Sequence, residues 1–185
     1  MEIKLERTKV IVLNGTGGCG KDTFVEYIQK YNQDERPSYT GWSKVHNVST
    51  VDTVKEMATQ IFGWTGTKTP ADRRMLSDLK DTWSLYQNGP FIDVIQKIVG
   101  ISLSTPEVNN VFFIHCREPE EIKKFKDALG EDCITTLVRR KSHKTEGNHA
   151  DENVENFDYD VVIDNNKSLE DFKNAAYEYA KKHLI

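Results

Sequence analysis

A glycine-rich segment near the amino terminus constrains the fold of this chain more than any other feature. It follows an apolar run at residues 10–13 and precedes a stretch with helical periodicity at residues 24–31. Glycines let the backbone turn tightly and direct N–H groups inward, and the following helix adds its positive amino-terminal end. This setting predicts a phosphate-binding loop, with a turn used only for packing as the alternative. The loop residues are Gly15, Thr16, Gly17, Gly18, Cys19, Gly20, Lys21, Asp22 and Thr23.

Lys21 and the two residues after it carry the chemistry expected of such a loop. A lysine at this position supplies a cation for the β- and γ-phosphates of ATP, and the next position normally offers a hydroxyl to Mg²⁺. Asp22 occupies that position, so we expect its carboxylate to face metal-bound water or a basic side chain, while Thr23 remains available for a phosphate oxygen. ATP and Mg²⁺ are the expected cofactors, with Asp22 and Thr23 as candidate metal-binding residues.

Size, charge and cysteine content narrow the class of protein. The 185 residues suit a single domain spanning residues 1–185, able to bury a core without disulfides. The formal charge of −4 provides no overall positive field, so we expect no nucleic-acid partner and no membrane partner. Three widely spaced cysteines, and an amino terminus whose apolar residues are interrupted by charges, predict a cytoplasmic protein. The sequence leaves the oligomeric state open, and a homodimer is one candidate.

Short, largely apolar segments alternate with helical patterns along the chain. Continuous apolar runs predict buried strands, and apolar residues spaced three or four apart predict amphipathic helices. The predicted strands are residues 10–13, 45–48, 111–114, 134–138 and 159–163. The predicted helices are residues 24–31, 51–62, 70–87, 91–99, 119–129 and the chain from 168 onward, with loops at 32–43 and 102–110. The alternation predicts an α/β fold with a central parallel sheet of about five strands, covered by helices on both faces.

The same patterns predict where helices begin and which side chains face the core. Thr69 and Pro70 predict the start of the third helix, and residues 168–171 predict a capping box. The residues expected to face inward are Phe24, Ile28 and Tyr31 in the first helix, Val51, Val54, Ala58 and Ile61 in the second, Met75, Leu79, Trp83 and Tyr86 in the third, and Leu169, Phe172, Ala176 and Tyr179 in the last.

Basic residues beyond the loop are candidates for binding a second phosphate. Arg73 and Lys80 lie seven positions apart, so they share one side of the third predicted helix. Arg117 follows the third predicted strand, at the carboxyl edge of the sheet, where ligands of open α/β sheets collect. Each has a structural alternative, because Arg73 and Lys80 could cover apolar surface with their stems, and Arg117 could pair with Glu118 or Glu121.

Four basic residues follow the fourth predicted strand. The cations are Arg139, Arg140, Lys141 and Lys144, with Gly147 shortly after. This composition predicts a mobile lid at residues 139–153 that closes over a transferring phosphoryl group, although a solvated loop would look similar. His115 and Cys116 point to opposite faces of a strand and make poor joint metal ligands. His149 and its acidic neighbours fit a helix start better than a metal cluster.

Together these motifs resemble the phage-type deoxynucleoside monophosphate kinases and, more distantly, the animal-type phosphomevalonate kinases. Gly20, Lys21, Asp22 and Thr23 match the Gly-Lys-Asp loop signature of these P-loop kinases. Residues 54–58 resemble the segment after the family's second strand, and Lys55 matches a lysine that lies near the acceptor phosphate. Residues 73–83 resemble the helix that binds the acceptor.

Later segments extend the resemblance to nearly the whole chain. Residues 117–122 resemble the stretch after the family's third strand, where Arg117 and Glu121 match but His115 stands in place of Asp. Residues 149–152 resemble a His-x-Ser-Glu segment, with aspartate replacing serine, and residues 159–165 resemble the closing strand with its asparagine.

The resemblance implies a P-loop NTPase fold, a helical acceptor region at about residues 50–100 and the lid at 139–153. It implies transfer of the γ-phosphoryl group of ATP to a small phosphate acceptor, chiefly a nucleoside or deoxynucleoside monophosphate. The expected catalytic residues are Lys21, Arg117, Arg139 and Arg140, and the expected acceptor-binding residues are Lys55, Arg73 and Lys80. Two alternatives stay open: a kinase for phosphomevalonate, dephospho-coenzyme A or another small molecule, and a non-catalytic nucleotide-binding regulator.

Overall fold

A central sheet of five parallel strands organises the fold. The computed structural model describes residues 3–36, 43–141 and 153–184. The strands are β1 (Thr8–Asn14), β2 (Lys44–Ser49), β3 (Asn110–His115), β4 (Cys133–Arg139) and β5 (Val161–Asp164). Their order across the sheet is β2-β3-β1-β4-β5, and every neighbouring pair is parallel. The predicted parallel sheet is confirmed, and the carboxyl ends of all five strands share one edge.

Helices cover both faces of this sheet. Among the described residues the α-helices are α1 (Lys21–Lys30), α2 (Asp52–Phe62), α3 (Pro70–Leu85), α4 (Gly89–Ser104), α5 (Pro119–Leu129) and α6 (Leu169–His183). Phe24 of α1 and Phe172 of α6 belong to the core on one face, and Val94 of α4 and Phe125 of α5 belong to the core on the other. The predicted three-layer α/β/α arrangement is therefore confirmed. No helix in the described ranges is both long and apolar enough to span a bilayer.

Strand β1 lies at the centre of the sheet and supplies side chains to both cores. Ile11 and Leu13 pack in the core formed with α1 and α6, whereas Val10 and Val12 pack in the core formed with α4 and α5. All four side chains are essentially inaccessible to water. Because successive strand residues point to opposite faces, a continuous apolar run is what a strand covered on both faces requires. This packing fixes the position of the glycine-rich loop that follows β1.

Helix α4 is longer than the sequence patterns predict. The predicted loop at residues 102–110 is wrong in its first part, because α4 continues to Ser104. Ser102 is buried, and its hydroxyl oxygen accepts a hydrogen bond from Thr8 Oγ1 at 2.9 Å. A polar residue therefore occupies a core-facing position on this helix, and its polarity masks the helical periodicity.

Three side chains predicted to face the core are instead exposed. They are Ile61, Tyr86 and Leu169. Ile61 lies in the last turn of α2, one turn beyond the buried Ala58, and Leu169 is the first residue of α6. Tyr86 directly follows α3, a helix without a fully buried residue. Periodicity identifies the correct face near the middle of α2 and α6, but the helix ends extend past the layer that would cover them.

The segment between α1 and β2 begins with a π-helical turn at Tyr31–Glu35, where the sequence predicts a loop. The side chain of Asn32 joins the two ends of this segment. Its Nδ2 donates to the Ser43 carbonyl at 2.6 Å, and its Oδ1 accepts from the Ser43 amide at 2.9 Å. Both partners are buried, so a pair of hydrogen bonds aligns α1 with the start of β2.

Part of the predicted lid lies outside the described residues. Of residues 139–153, the structure describes 139–141 and 153, so Lys144, Gly147 and His149 fall outside it. Pro37 and Gly41 of the predicted loop at residues 32–43 also lie outside the described residues.

Candidate functional site

The glycine-rich loop leaves the end of β1 and turns back into α1. Two of its glycines adopt left-handed backbone conformations in crowded positions, with φ values of 147° at Gly15 and 105° at Gly20. A Cβ at Gly15 would lie 2.4 Å from the Val138 carbonyl oxygen, and a Cβ at Gly20 would lie 2.7 Å from Asn165 Nδ2. Neither position accommodates a larger residue without displacing the backbone or its neighbour. The loop conformation therefore depends on glycine at both places.

Lys21 holds its ammonium group over the mouth of this loop. The residue is only 9% exposed, and Nζ donates hydrogen bonds to the carbonyl oxygens of Gly15 and Thr16, the latter at 3.0 Å. Because Lys21 is also the first residue of α1, the ammonium and the positive end of the helix dipole lie together. The arrangement places a cation and the positive end of a helix together at the carboxyl edge of the sheet.

Asn165 anchors the loop to the far side of the sheet. Its Nδ2 donates to the Cys19 carbonyl at 2.8 Å, and its backbone amide donates to the Arg139 carbonyl at 2.8 Å. Burial raises the pKa of the Cys19 thiol, although Lys21 and Arg117 oppose the shift. The thiol therefore stays protonated at pH 7 and serves as packing. The sequence signal for this anchor is the asparagine directly after strand β5.

Asn14 and Tyr159 form a second anchor that sequence patterns did not identify. Asn14 Oδ1 accepts from the Gly15 amide at 2.7 Å, and its Nδ2 donates to Tyr159 Oη and to the Arg117 carbonyl. Tyr159 Oη in turn donates to the Val154 carbonyl at 2.7 Å. Burial raises the pKa of Tyr159 to about 12. This network connects the first loop residue with the segment after β3 and with the chain that precedes β5.

His115 lies beside the start of α1, at the carboxyl end of β3. Its Nε2 is 2.6 Å from Asn47 Oδ1 and 3.8 Å from Asp22 Oδ1. Burial lowers the pKa of His115 to about 4, although the carboxylate of Asp22 opposes this shift. The imidazole is therefore neutral at pH 7. Asp22 faces a ring nitrogen here, and its side chain is 82% exposed.

A divalent ion bound with the nucleotide would meet few protein carboxylates at this edge. Within the described residues, no group of three or more His, Cys, Asp or Glu side chains is placed to hold a metal by itself. Asp22 and Thr23 lie in the first turn of α1, and the exposed Asp22 carboxylate can accept from metal-bound water. These donors fit an ion that keeps several waters and is held mainly by phosphate oxygens.

The three predicted acceptor-binding cations lie in different environments. Lys55 is partly exposed and contacts Asp52 at 3.3 Å, and both charges influence the pKa of His115. Arg73 lies on the exposed surface of α3. Lys80 is only 12% exposed and pairs with Glu121 at 2.9 Å, and that carboxylate is 9% exposed. Burial lowers the pKa of Lys80, but Glu121, with smaller contributions from Cys116 and Glu118, raises it by more, so the ammonium stays charged.

The predicted catalytic arginines surround the loop from the ends of β3 and β4. Arg117 is close enough to Cys19 to lower the pKa of its thiol. Arg139 donates from Nε to Glu155 Oε1 at 2.8 Å and from Nη2 to the other oxygen, a bidentate pair that raises its pKa. Arg140 is exposed. Glu155 was not identified from the sequence, because nothing in its local pattern marks it as a partner of Arg139.

Two adjoining cavities flank the loop on the β4 and β5 side. One has a volume of about 360 Å³ and is lined by Thr16, Leu137, Val138, Arg139, Arg140, Lys141, Val154 and Glu155. The other has a volume of about 350 Å³ and is lined by Arg140, Lys141, Asn165, Asn166 and Lys167. Volumes of this size accommodate small ligands. Lys141 donates its backbone amide to Asn166 Oδ1 at 2.7 Å, which fixes the wall between them.

Comparison with known proteins establishes the fold. A sugar kinase from Janibacter sp. HTCC2649, solved without ligand, is 13% identical, aligns over 94% of this chain and 95% of its own, and gives a TM-score of 0.51. Dephospho-CoA kinase from Campylobacter jejuni is 14% identical, aligns over 96% and 98%, and gives a TM-score of 0.45. No family model matches the sequence. No curated protein matches it either. The chain has the three-layer fold of P-loop NTPases, and the resemblance to the phage-type kinases remains a prediction.

Proposed function

We propose that this protein is an ATP-dependent phosphotransferase whose acceptor is a nucleoside or deoxynucleoside monophosphate. The observation that carries the proposal is the position of Lys21, whose buried ammonium lies over a loop of left-handed glycines at the carboxyl edge of the sheet. This geometry places a cation beside the positive end of α1, which suits the β- and γ-phosphates of ATP, and we propose that loop N–H groups complete the site. The architecture shared with a sugar kinase agrees with this proposal.

Transfer between two phosphates depends on alignment and charge stabilisation more than on a base. An acceptor phosphate already carries a nucleophilic oxygen at pH 7, which attacks the γ-phosphorus as the bond to the β–γ bridging oxygen breaks and ADP leaves. Lys21 and the loop amides stabilise the charge on the departing ADP, and Arg117, Arg139 and Arg140 stabilise the transferring group. Mg²⁺ would neutralise charge between the phosphates, near Asp22 and Thr23.

The acceptor region is proposed at residues 50–100, where α2 and α3 follow the end of β2. Lys55 lies close to His115 at the carboxyl edge of the sheet, so its ammonium can reach an acceptor phosphate that faces the loop. Arg73 is exposed on α3 and has no burial to hold it in place. Residues 139–153 are proposed as a lid whose first arginines, Arg139 and Arg140, close over the phosphoryl group.

The nucleoside of ATP is proposed to occupy the cavities beside β4 and β5. Thr16 of the loop lines the first cavity, and Asn165, which anchors Cys19, lines the second, so a ligand there is continuous with the phosphate site. Arg140 borders both cavities, between the nucleoside and the phosphoryl group that it is proposed to cover.

A nucleotide-binding regulator is the second candidate, and one observation favours it. His115, neutral at pH 7, stands at the carboxyl end of β3, so that strand end supplies no carboxylate to orient Mg²⁺. A protein with a weakened metal site would bind ATP and release it unchanged.

A coupled assay of ADP release separates these proposals. The purified chain is given ATP and Mg²⁺ with each nucleoside and deoxynucleoside monophosphate, and then with phosphomevalonate and dephospho-coenzyme A. ADP release with a monophosphate supports the main proposal, whereas release only with another acceptor replaces it by a different small-molecule kinase. ATP binding without product from any acceptor favours the regulator.

Lys21→Ala tests the site itself. Removing the ammonium should lower the rate of transfer at least about 100-fold, the size of effect expected for a group that stabilises transition-state charge. The matched control is Lys30→Ala, at the exposed far end of α1, which should retain the wild-type rate. Thermal unfolding of both variants checks the fold. A Lys21→Ala protein that turns over at the wild-type rate would refute the assignment.

A further inference from the structure

Three polar side chains converge where β2, β3 and α1 meet. His115 Nε2 lies between Asn47 Oδ1 at 2.6 Å and Asp22 Oδ1 at 3.8 Å. His115 is largely buried with its ring nitrogen at the surface of the edge, whereas the Asp22 carboxylate is 82% exposed. A nitrogen donor and a carboxylate oxygen therefore face the same space, directly beside the loop that Lys21 covers.

The separation of these two donors suits a shared metal ion. Nitrogen and oxygen ligands lie about 2.0 to 2.2 Å from a small divalent metal. Two such ligands are therefore about 3 Å apart when they subtend a right angle at the ion and about 4 Å apart when they lie opposite each other. The observed 3.8 Å between His115 Nε2 and Asp22 Oδ1 lies between these two values, and rotation of the exposed Asp22 side chain can bring its oxygen to either. One ion can contact both atoms without a shift of the backbone.

We propose that His115 and Asp22 together ligate the divalent ion that accompanies the nucleotide, and that the imidazole shifts the preference of this site from Mg²⁺ towards Mn²⁺ and Co²⁺. The inference rests on the proposed nucleotide site. Mg²⁺ strongly favours oxygen ligands, whereas affinity for nitrogen donors rises through Mn²⁺ to Co²⁺. The remaining positions on the ion belong to phosphate oxygens and water.

Binding at Nε2 requires a small local change that the structure permits. The ring hydrogen moves to Nδ1, and the hydrogen bond between Nε2 and Asn47 is given up. Asn47 is an exposed residue of β2, so its amide can turn to water at little cost. The sheet pairing of His115 with Leu13 and Ser49 keeps its backbone in place throughout.

Pulsed electron paramagnetic resonance on the Mn²⁺ complex tests the ligand directly. The probe is Mn²⁺ with the β,γ-methylene analogue of ATP, which has no nitrogen between its phosphates. The wild-type complex should show a ¹⁴N coupling that is replaced by a ¹⁵N coupling when the protein contains ¹⁵N-labelled histidine. His115→Asn should abolish it. His46→Asn is the matched control, because His46 Nε2 contacts Asn110 at the opposite end of β3, and this variant should retain the coupling.

Metal selectivity gives a second, independent measurement. His115→Asp offers an oxygen donor in place of nitrogen, so the ratio of the Mg²⁺ to the Mn²⁺ dissociation constant, measured by calorimetry with the same analogue, should fall at least about tenfold. Circular dichroism of each variant confirms that it is folded. His115→Asn should weaken the binding of Mn²⁺ more than the binding of Mg²⁺.

The outcomes separate this inference from the proposed function. If the analogue and Mn²⁺ bind but no histidine coupling is seen, or the coupling survives in His115→Asn, the inference is overturned while the nucleotide site stands. If the wild-type chain and Lys21→Ala both fail to bind the analogue, the nucleotide site and the inference fall together.

Discussion

The ion pair between Lys80 and Glu121 yields a prediction that distinguishes a structural from an acceptor-binding lysine. The two side chains are 12% and 9% exposed, their charged atoms are 2.9 Å apart, and Cys116 Sγ donates to the same carboxylate oxygen at 3.4 Å. Helix α3 contributes no fully buried residue, and this largely buried contact attaches it to α5. We expect Lys80 to hold α3 in place.

The size of the effect follows from burial. Lys80→Met removes the cation and leaves the Glu121 carboxylate buried, and breaking a buried pair in this way costs about 3 to 5 kcal/mol. We expect a loss of about 3 kcal/mol in the free energy of unfolding, at the lower end of this range, because both side chains keep a small contact with water. The double variant Lys80→Met, Glu121→Met replaces the pair with apolar side chains and should recover most of the loss.

Urea unfolding, monitored by circular dichroism, measures this loss of stability. With a slope of about 2 kcal/mol per M for a chain of this size, the midpoint of Lys80→Met should fall by about 1.5 M. The control is Lys123→Met, which removes the exposed pair of Lys123 with Asp127 and should change stability by less than about 1 kcal/mol. A stability loss below about 1 kcal/mol in Lys80→Met, together with a raised KM for the acceptor, would refute the structural role and favour acceptor binding.

Two further predictions concern the loop and the sheet. Gly20→Ala places a Cβ 2.7 Å from Asn165 Nδ2 at a φ of 105°, so it should lower the free energy of unfolding by about 2 kcal/mol or more in urea titrations and weaken ATP binding. Burial raises the pKa of Asp160, but hydrogen bonds from Lys126 and Thr135 lower it by more, so its net shift is downward. The stabilisation that the ionised Asp160 contributes is therefore present above the unfolded pKa of 3.8 and is lost as pH falls below that value. Melting temperatures of Asp160→Asn should decline less steeply in acid than those of wild type.

The sheet was predictable because the patterns that indicate its strands are local in the sequence. Residues 10–13 and 111–114 are continuous apolar runs, and a strand covered on both faces needs such a run whatever lies around it. The position of the glycine-rich loop between β1 and α1 was predictable for the same reason, since glycines between a strand and a helix mark a tight turn. The helix start at Thr69 and the capping box at Ser168 also formed as predicted, because each involves only four consecutive residues.

The partners of the basic residues were not predictable, because they depend on distant parts of the chain. Lys80 and Glu121 are 41 positions apart, and Arg139 and Glu155 are 16 apart. Nothing in the spacing of either pair indicates that the fold brings them together. The neutral state of His115 likewise depends on burial at the junction of two strands and a helix, which composition does not reveal.

The free-energy cost of opening each ion pair indicates which cations are available to bind a phosphate. Lys55 with Asp52 and Arg139 with Glu155 are exposed enough for water to screen them, so each pair contributes at most about 1 kcal/mol and opens at little cost. A phosphate that replaces the carboxylate then gains strong charge-assisted hydrogen bonds, bidentate in the case of Arg139. Opening the buried pair of Lys80 costs several times more, and a phosphate does not recover the burial of Glu121. We therefore expect Lys55 and Arg139 to exchange partners when ligands bind, and Lys80 to keep its own.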